Sequence, residues 1–317
     1  MNRDPPEHVL RQIATARRLE WWTIGWMTSI IAIMWLAMGS SQAMKTALVE
    51  DVLSLVPAVA FLVALRFEGR RPTTAFPFGF DRVQSLSSLI AAVALCGVGA
   101  VLISDSAASL ASGEHPTMPP VRIIGFDVWQ GWVMIAGLLY SIVPPVILGR
   151  LKLPIARRLQ DEVLNTDAMM QKADWMTGVT GVAGVMGVGL GYWWTDAAAG
   201  ALISVSILKD GITSVRVATA ELVDGTPRRL GRTELAEDAR RLREGLAELC
   251  PGCTVRLRAT GRYIHAEVMG PIPDRVPSRD EAWRGDPDRA WRLAQVSFVP
   301  ETGQGAEAVP VPHVRST

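Results

Sequence analysis

Long apolar runs fill the first two-thirds of the chain, and short amphipathic or alternating segments fill the last third. Uninterrupted apolar stretches near 20 residues predict membrane helices, because the hydrocarbon core of a bilayer is roughly 30 Å thick. Six spans are expected, at 21–39, 44–65, 83–104, 128–148, 169–192 and 195–217. Trp21, Trp22 and Trp26 open the first as an interfacial aromatic anchor. Pro144 and Pro145 fall near the end of the fourth, and Trp193-Trp194-Thr195-Asp196 predicts a tight antiparallel turn between the last two. The fifth span carries Gly178, Gly181, Gly184, Gly187 and Gly191 at spacings of three and four, a pattern that lets a neighbouring helix pack closely. The segment 105–127, rich in Ser, Ala and Pro, is expected to be an unstructured outside loop.

After Gly225 the pattern becomes that of a soluble module. Leu235, Ala239, Leu242, Leu246 and Leu249 recur at helical spacing and predict an amphipathic helix over 233–249. Residues 253–258 and 263–269 alternate like paired strands around a turn at Thr260-Gly261-Arg262. A short helix over 278–291, broken at Gly285-Asp286-Pro287, precedes a last strand at 293–299. These elements make an α+β unit of roughly 80 residues. The expected divisions are a tail at 1–20, a six-helix membrane domain at 21–225, the small domain at 226–300 and a disordered tail at 301–317.

Composition supports this class. The 317 residues are 49% hydrophobic and 20% charged, with a formal net charge of +1. No basic, aromatic-interleaved patch points to nucleic acid. Lys and Arg crowd one set of connections: the residues before Trp21, Arg66 to Arg82, Arg150 to Arg158, and Arg216 to Arg229. The opposite set offers Lys45 and Arg122, so both termini are expected in the cytoplasm. Three cysteines imply no disulfide framework, and Cys250-Pro-Gly-Cys253 lacks the second pair a zinc site needs. The first apolar run is too long for a signal-peptide core and is expected to be retained.

Ionisable groups inside spans are costly and mark functional sites by default. Two clusters qualify. The second span holds Glu50, Asp51 and Ser54, and the fifth holds Asp167, Met170, Gln171 and Asp174. Helical periodicity puts Glu50 and Ser54 on one face, and stacks Asp167, Met170 and Asp174 on another. Facing helices with paired i, i+4 ligands are how metal sites are built in helix bundles. The alternative is that Glu50 pairs with Lys45 or Lys172 and Asp174 caps a helix. No nucleophile–base pair or cofactor loop appears, so the chain is not expected to be an enzyme.

Several stretches together resemble the cation diffusion facilitator family. Ala47-Leu48-Val49-Glu50 onward resembles its A-L-x-(D/H)-x-x-x-D helix, and Asp167-Ala-Met-Met-Gln-Lys-Ala-Asp174 resembles D-A-x-H-x-x-x-D. Arg71-Pro72 with Phe76-Pro77-Phe78-Gly79-Phe80-Asp81-Arg82-Val83-Gln84 resembles R-P…H-P-F-G-H-x-R-x-E. Glu221-Leu222-Val223-Asp224 closes the sixth span where the family places similar residues. Ser54 and Met170 stand where the family has stronger ligands, Phe76 and Phe80 replace the paired His of the loop, and Gln84 replaces an acid.

The resemblance implies an α-helical membrane protein with six transmembrane helices and a small C-terminal ferredoxin-like cytoplasmic dimerisation domain. It implies a homodimer in the cytoplasmic membrane that exports a divalent cation, zinc-, manganese- or iron-like, in exchange for protons. The cation is cargo and no cofactor is implied. Glu50, Ser54, Met170 and Asp174 are the implied metal ligands, with Asp51 and Asp167 as auxiliary candidates that would favour a harder ion. The rival expectation is a transport-deficient member acting as a membrane-embedded regulatory or structural partner.

Overall fold

The structure, a computed structural model, describes residues 5–37, 51–68, 70–113, 120–123, 126–192, 194–271, 275 and 277–300. Its first part is helical: α1 (Glu7–Ala37), α2 (Val56–Glu68), α3 (Arg82–Ser112), α4 (Gln130–Leu159), α5 (Glu162–Gly189) and α6 (Thr195–Leu222). Residues 51–54 are also helical and lead into α2 through a turn at Leu55. Among the described residues two helical segments, Arg82–Ser112 and Ile135–Leu159, are long and apolar enough to cross a membrane. Asp167, Lys172, Asp174, Lys209 and Asp210 interrupt the apolar character of α5 and α6.

Three expectations are corrected here. Helix α1 already begins at Glu7, so much of the expected tail is helical. Helix α4 does not stop near 148 but continues through Pro144, Pro145 and Pro154 to Leu159. Neighbouring helices tolerate such prolines in membrane bundles by re-satisfying the freed backbone groups. The segment 105–127 is not a plain loop. Helix α3 runs on to Ser112, and β1 (Pro120–Ile123) pairs antiparallel with β2 (Phe126–Trp129), from Pro120↔Trp129 to Ile123↔Phe126. The alternation Val121, Ile123 against Arg122, and Phe126, Val128 against Asp127, is a period-two signal that composition conceals.

The bundle is close-packed through small residues. A Cβ on Gly99 of α3 would lie 2.8 Å from the Leu208 backbone nitrogen of α6, and one on Gly211 of α6 would lie 2.8 Å from that of Cys96. This backbone-to-backbone approach was not anticipated from sequence. The glycine row of α5 instead admits side chains of α4: a Cβ on Gly178 would meet Ile142 at 2.5 Å.

The last third folds as α7 (Glu237–Leu249), β3 (Thr254–Thr260), β4 (Tyr263–Met269), α8 (Arg279–Ala282), a 3-10 turn (Pro287–Arg292) and β5 (Leu293–Val299). The sheet order is β3-β4-β5, antiparallel between the first two and parallel between the last two. The parallel step requires the crossover that α8 and the 3-10 turn supply. Leu242 and Leu246 of α7 pack on Leu257, Ile264, Val268 and Leu293 of the sheet. Ser278 caps α8 in a reciprocal capping box with Glu281, and Asp286 caps the 3-10 turn, which explains the break in the predicted helix.

The β3–β4 turn is driven into the helix ends. Gly261 has φ +59, a left-handed conformation, and a Cβ there would meet the Gln84 side chain at 2.8 Å, so only glycine fits. Its amide donates to Glu221 Oε1 of α6 at 2.6 Å and to Ser85 Oγ of α3 at 3.1 Å. Arg262 is buried and reaches Asp161 at 2.6 Å and Glu68 of α2 at 2.7 Å.

Candidate functional site

Ser54 and Asp174 meet. Ser54 lies on the helical segment preceding α2 and is buried, and its Oγ donates to Asp174 Oδ1 of α5 at 2.8 Å. The two residues are 120 positions apart in sequence, so the contact joins the two polar clusters singled out above. Asp51, three residues earlier on the same segment as Ser54, is half-buried. Glu50 lies outside the described residues. Met170 is fully buried, but its thioether sits in an apolar cluster with Ala94, Leu95 and Val98 of α3 and Ile207 of α6, with Leu53 and Val56 at its edge.

Asp167, the other auxiliary candidate, is drawn elsewhere. Its Oδ2 accepts from Lys152 Nζ of α4, which also donates to Glu20 Oε2 of α1 at 2.8 Å and to Thr23 Oγ1 at 2.6 Å. The side chains of Glu20, Lys152 and Asp167 are all removed from solvent. Asp167 is therefore an ion-pair partner and not a ligand of the Ser54–Asp174 site. Sequence reasoning counted Lys152 among the cytoplasmic surface charges and passed over Glu20. The available signal was that Lys152, Asp167 and Glu20 are ionisable groups on three different apolar helices.

Other candidates resolve structurally. Lys172 of α5 pairs with Asp210 of α6 at 3.5 Å. Phe76 and Phe80 stack with ring centroids 4.9 Å apart, Phe80 leans on Phe67, and Arg70 lies over the Phe67 ring. An aromatic patch thus occupies the loop where the resemblance has paired imidazoles. Cys250 is buried in the sheet's core and Cys253 packs against it, and both are free thiols. Among the described residues no group of three or more His, Cys, Asp or Glu is arranged to hold a metal ion.

At the helix–sheet junction a water-sized cavity of about 30 Å³ is lined by Glu162, Glu221, Gly261 and Arg292 among others. Both carboxylate oxygens of Glu162 accept from the Gly231 amide, at 3.0 and 3.2 Å. Removal from water, reinforced by Glu221 and Asp161, pushes the Glu162 carboxyl up to about 8 despite that hydrogen bond. Removal from water likewise lowers the Arg292 guanidinium to about 10. Arg82 of α3 pairs with Asp224, which Arg258 of β3 also approaches at 3.4 Å.

A buried serine and a half-buried aspartate thus meet across two neighbouring helices. The family model for the cation efflux transmembrane domain matches residues 23–223. The chain belongs to the cation efflux family. That family, the cation diffusion facilitators of the sequence resemblance, consists of membrane transporters that export metal cations. A probable cation efflux system protein of Mycobacterium tuberculosis (strain H37Rv) is 26% identical over 243 residues, which is 76% of this chain and 68% of that one. The manganese efflux system protein MneS of Bacillus subtilis is 21% identical over 185 residues, 58% of this chain and 60% of its own length. An uncharacterized transporter of the same organism, YdbO, is 24% identical over 200 residues, 62% and 64% of the two chains. The matched region contains all of α2 to α6, and with them both Ser54 and Asp174.

Proposed function

We propose that this cation efflux protein exports a divalent metal across the cytoplasmic membrane in exchange for protons, with Asp174 as the anionic anchor of the cargo. The observation that carries this reading is the Ser54–Asp174 contact, which joins the two polar clusters across helices otherwise lined with apolar side chains. Six spans, formed by α1 to α6 with the segment preceding α2, and cytoplasmic termini complete the proposal, together with a homodimer assembled through the sheet domain. A carboxylate and a hydroxyl suit a hard or borderline cation, and the thioether adds little for such an ion. Manganese is the preferred cargo on that donor set, in keeping with the name of the Bacillus relative. Zinc and iron(II) are the comparisons. Glu50 supplies the second carboxylate of the ligand set, with Asp51 beside it.

Purified protein in proteoliposomes, challenged with manganese, zinc and iron(II), tests the reading. Metal-dependent flux that Asp174→Asn removes is the expected result, and equal flux in wild type and variant would sink it. The burial of Met170 among hydrocarbon side chains favours a second reading, a transport-deficient member kept as a membrane partner. Metal bound stoichiometrically in detergent by wild type, and not by Asp174→Asn, excludes that alternative.

A further inference from the structure

The Glu20–Lys152–Asp167 cluster has more bonding capacity than the protein uses. Lys152 has three N–H donors, and all three are spent, on Glu20 Oε2, Thr23 Oγ1 and Asp167 Oδ2. The remaining oxygens, Glu20 Oε1 and Asp167 Oδ1, are buried and have no hydrogen-bond partner among the described residues. One ammonium thus faces two carboxylates, a residual charge of −1 held out of water. A lone buried charge of this kind is costly, and neutralisation is the usual response.

Among the described residues no second cation pairs with the cluster. The other basic residues of α1 and α4 that flank the cluster, Arg17, Arg18, Arg150, Arg157 and Arg158, are exposed. The next charge felt by Glu20 is Asp161, in the turn between α4 and α5, and it is committed to Arg262, as is Glu68 of α2. Gln171 lies one turn beyond Asp167 and is buried against Gly149 of α4, and neither its amide nitrogen nor its carbonyl oxygen has a partner among the described residues.

We propose that this cluster is a proton-binding site, in which one proton shared by Glu20 and Asp167 balances the residual charge beside Lys152. Its role in transport rests on the exchange reading above and deepens it. Asp167 and Asp174 lie seven residues apart on α5, about 10 Å at 1.5 Å per residue. A proton on Asp167 converts its bond to Lys152 from an ion pair to a neutral–charged contact. That loosens α5 from α4 and α1, while proton loss clamps them together. The cargo site and the proton site thereby share one moving helix without sharing a ligand.

Infrared difference spectra of the full-length protein between acidic and alkaline pH test the site without requiring transport. In a Glu162→Gln background, which removes the other raised carboxyl, the expected result is a protonated-carboxyl band that Asp174→Asn retains and that the pair Glu20→Gln with Asp167→Asn removes. A band left unchanged by that pair overturns the proposal, as does its absence from the Glu162→Gln background. In proteoliposomes, Glu20→Gln preserves the hydrogen bond to Lys152, and its proton-to-manganese ratio is expected to fall while manganese flux persists. A wild-type ratio in both Glu20→Gln and Asp167→Asn also overturns it. If wild type moves no metal yet the Glu162→Gln background shows the titrating band, the transport reading fails and the proton site stands.

Discussion

Asp167 and Asp174 occupy one face of α5, two helical turns apart, in contrasting settings. Asp167 faces a buried ammonium and a second carboxylate from two other helices. Asp174 faces a serine hydroxyl, with hydrocarbon close by around Met170. The difference teaches that sequence position on a helix face does not assign a role, and that the partner's charge does. An aspartate that shares a lysine with a second carboxylate is tied into an ion-pair cluster and holds helices together. An aspartate beside a hydroxyl presents two oxygens of the kind that suit a hard cation.

Four substitutions test that contrast. Lys152→Met should have the largest effect on folding, about 3–5 kcal/mol, because it leaves two buried carboxylates without a counter-ion. Thermal unfolding in detergent measures it, and an unshifted midpoint would mean the cluster is not a clamp. Asp174→Asn should lower metal flux at least about 100-fold, roughly 2.7 kcal/mol of transition-state free energy, while stability changes by less than about 1 kcal/mol, since an amide still accepts from Ser54. Equal losses of stability in both variants would erase the distinction. Ser54→Ala should weaken apparent metal affinity about tenfold, as loss of a group that orients a ligand does. Binding titrations at fixed pH read this.

The last test concerns the third acid of α5, Glu162, and appears as a slope with pH. Its carboxyl is raised from 4.5 to about 8 in the folded state. Between those values the folded chain holds a proton that the unfolded chain has released. Stability from this group is therefore fully present below about 4.5, falls as pH rises through the window, and levels off above about 8. Glu162→Gln stays neutral throughout and should flatten the wild-type decline. Unfolding midpoints across that range check it, and parallel curves would show that Glu162 does not titrate there.

Much of the architecture was legible because period and length carry it. The strand at Tyr263–Met269, the final strand and the Thr260-Gly261-Arg262 turn follow from alternation and from a glycine that the turn requires. The link between Ser54 and Asp174 followed from two i, i+4 patterns on separate helices. The hairpin at 120–129 was missed because a Ser/Ala/Pro-rich surround outweighed its alternation. Glu20 and Lys152 were missed for a different reason. Each sits near a span end, where charge normally meets water, and burial there depends on how helices cross, which no single helix's pattern records. The apolar environment of Met170 was hidden likewise, because spacing identifies a face but not what lines the opposite one.

The seating of Arg262 between Asp161 and Glu68 has a consequence for biogenesis. Those acids belong to the helical part, made first, and their counter-charge comes from the turn between two late strands. Chains emerge from the N-terminus onward. Until that turn is made and docks, Asp161 and Glu68 await their guanidinium. A chain truncated before Arg262 would leave both acids of this junction uncompensated.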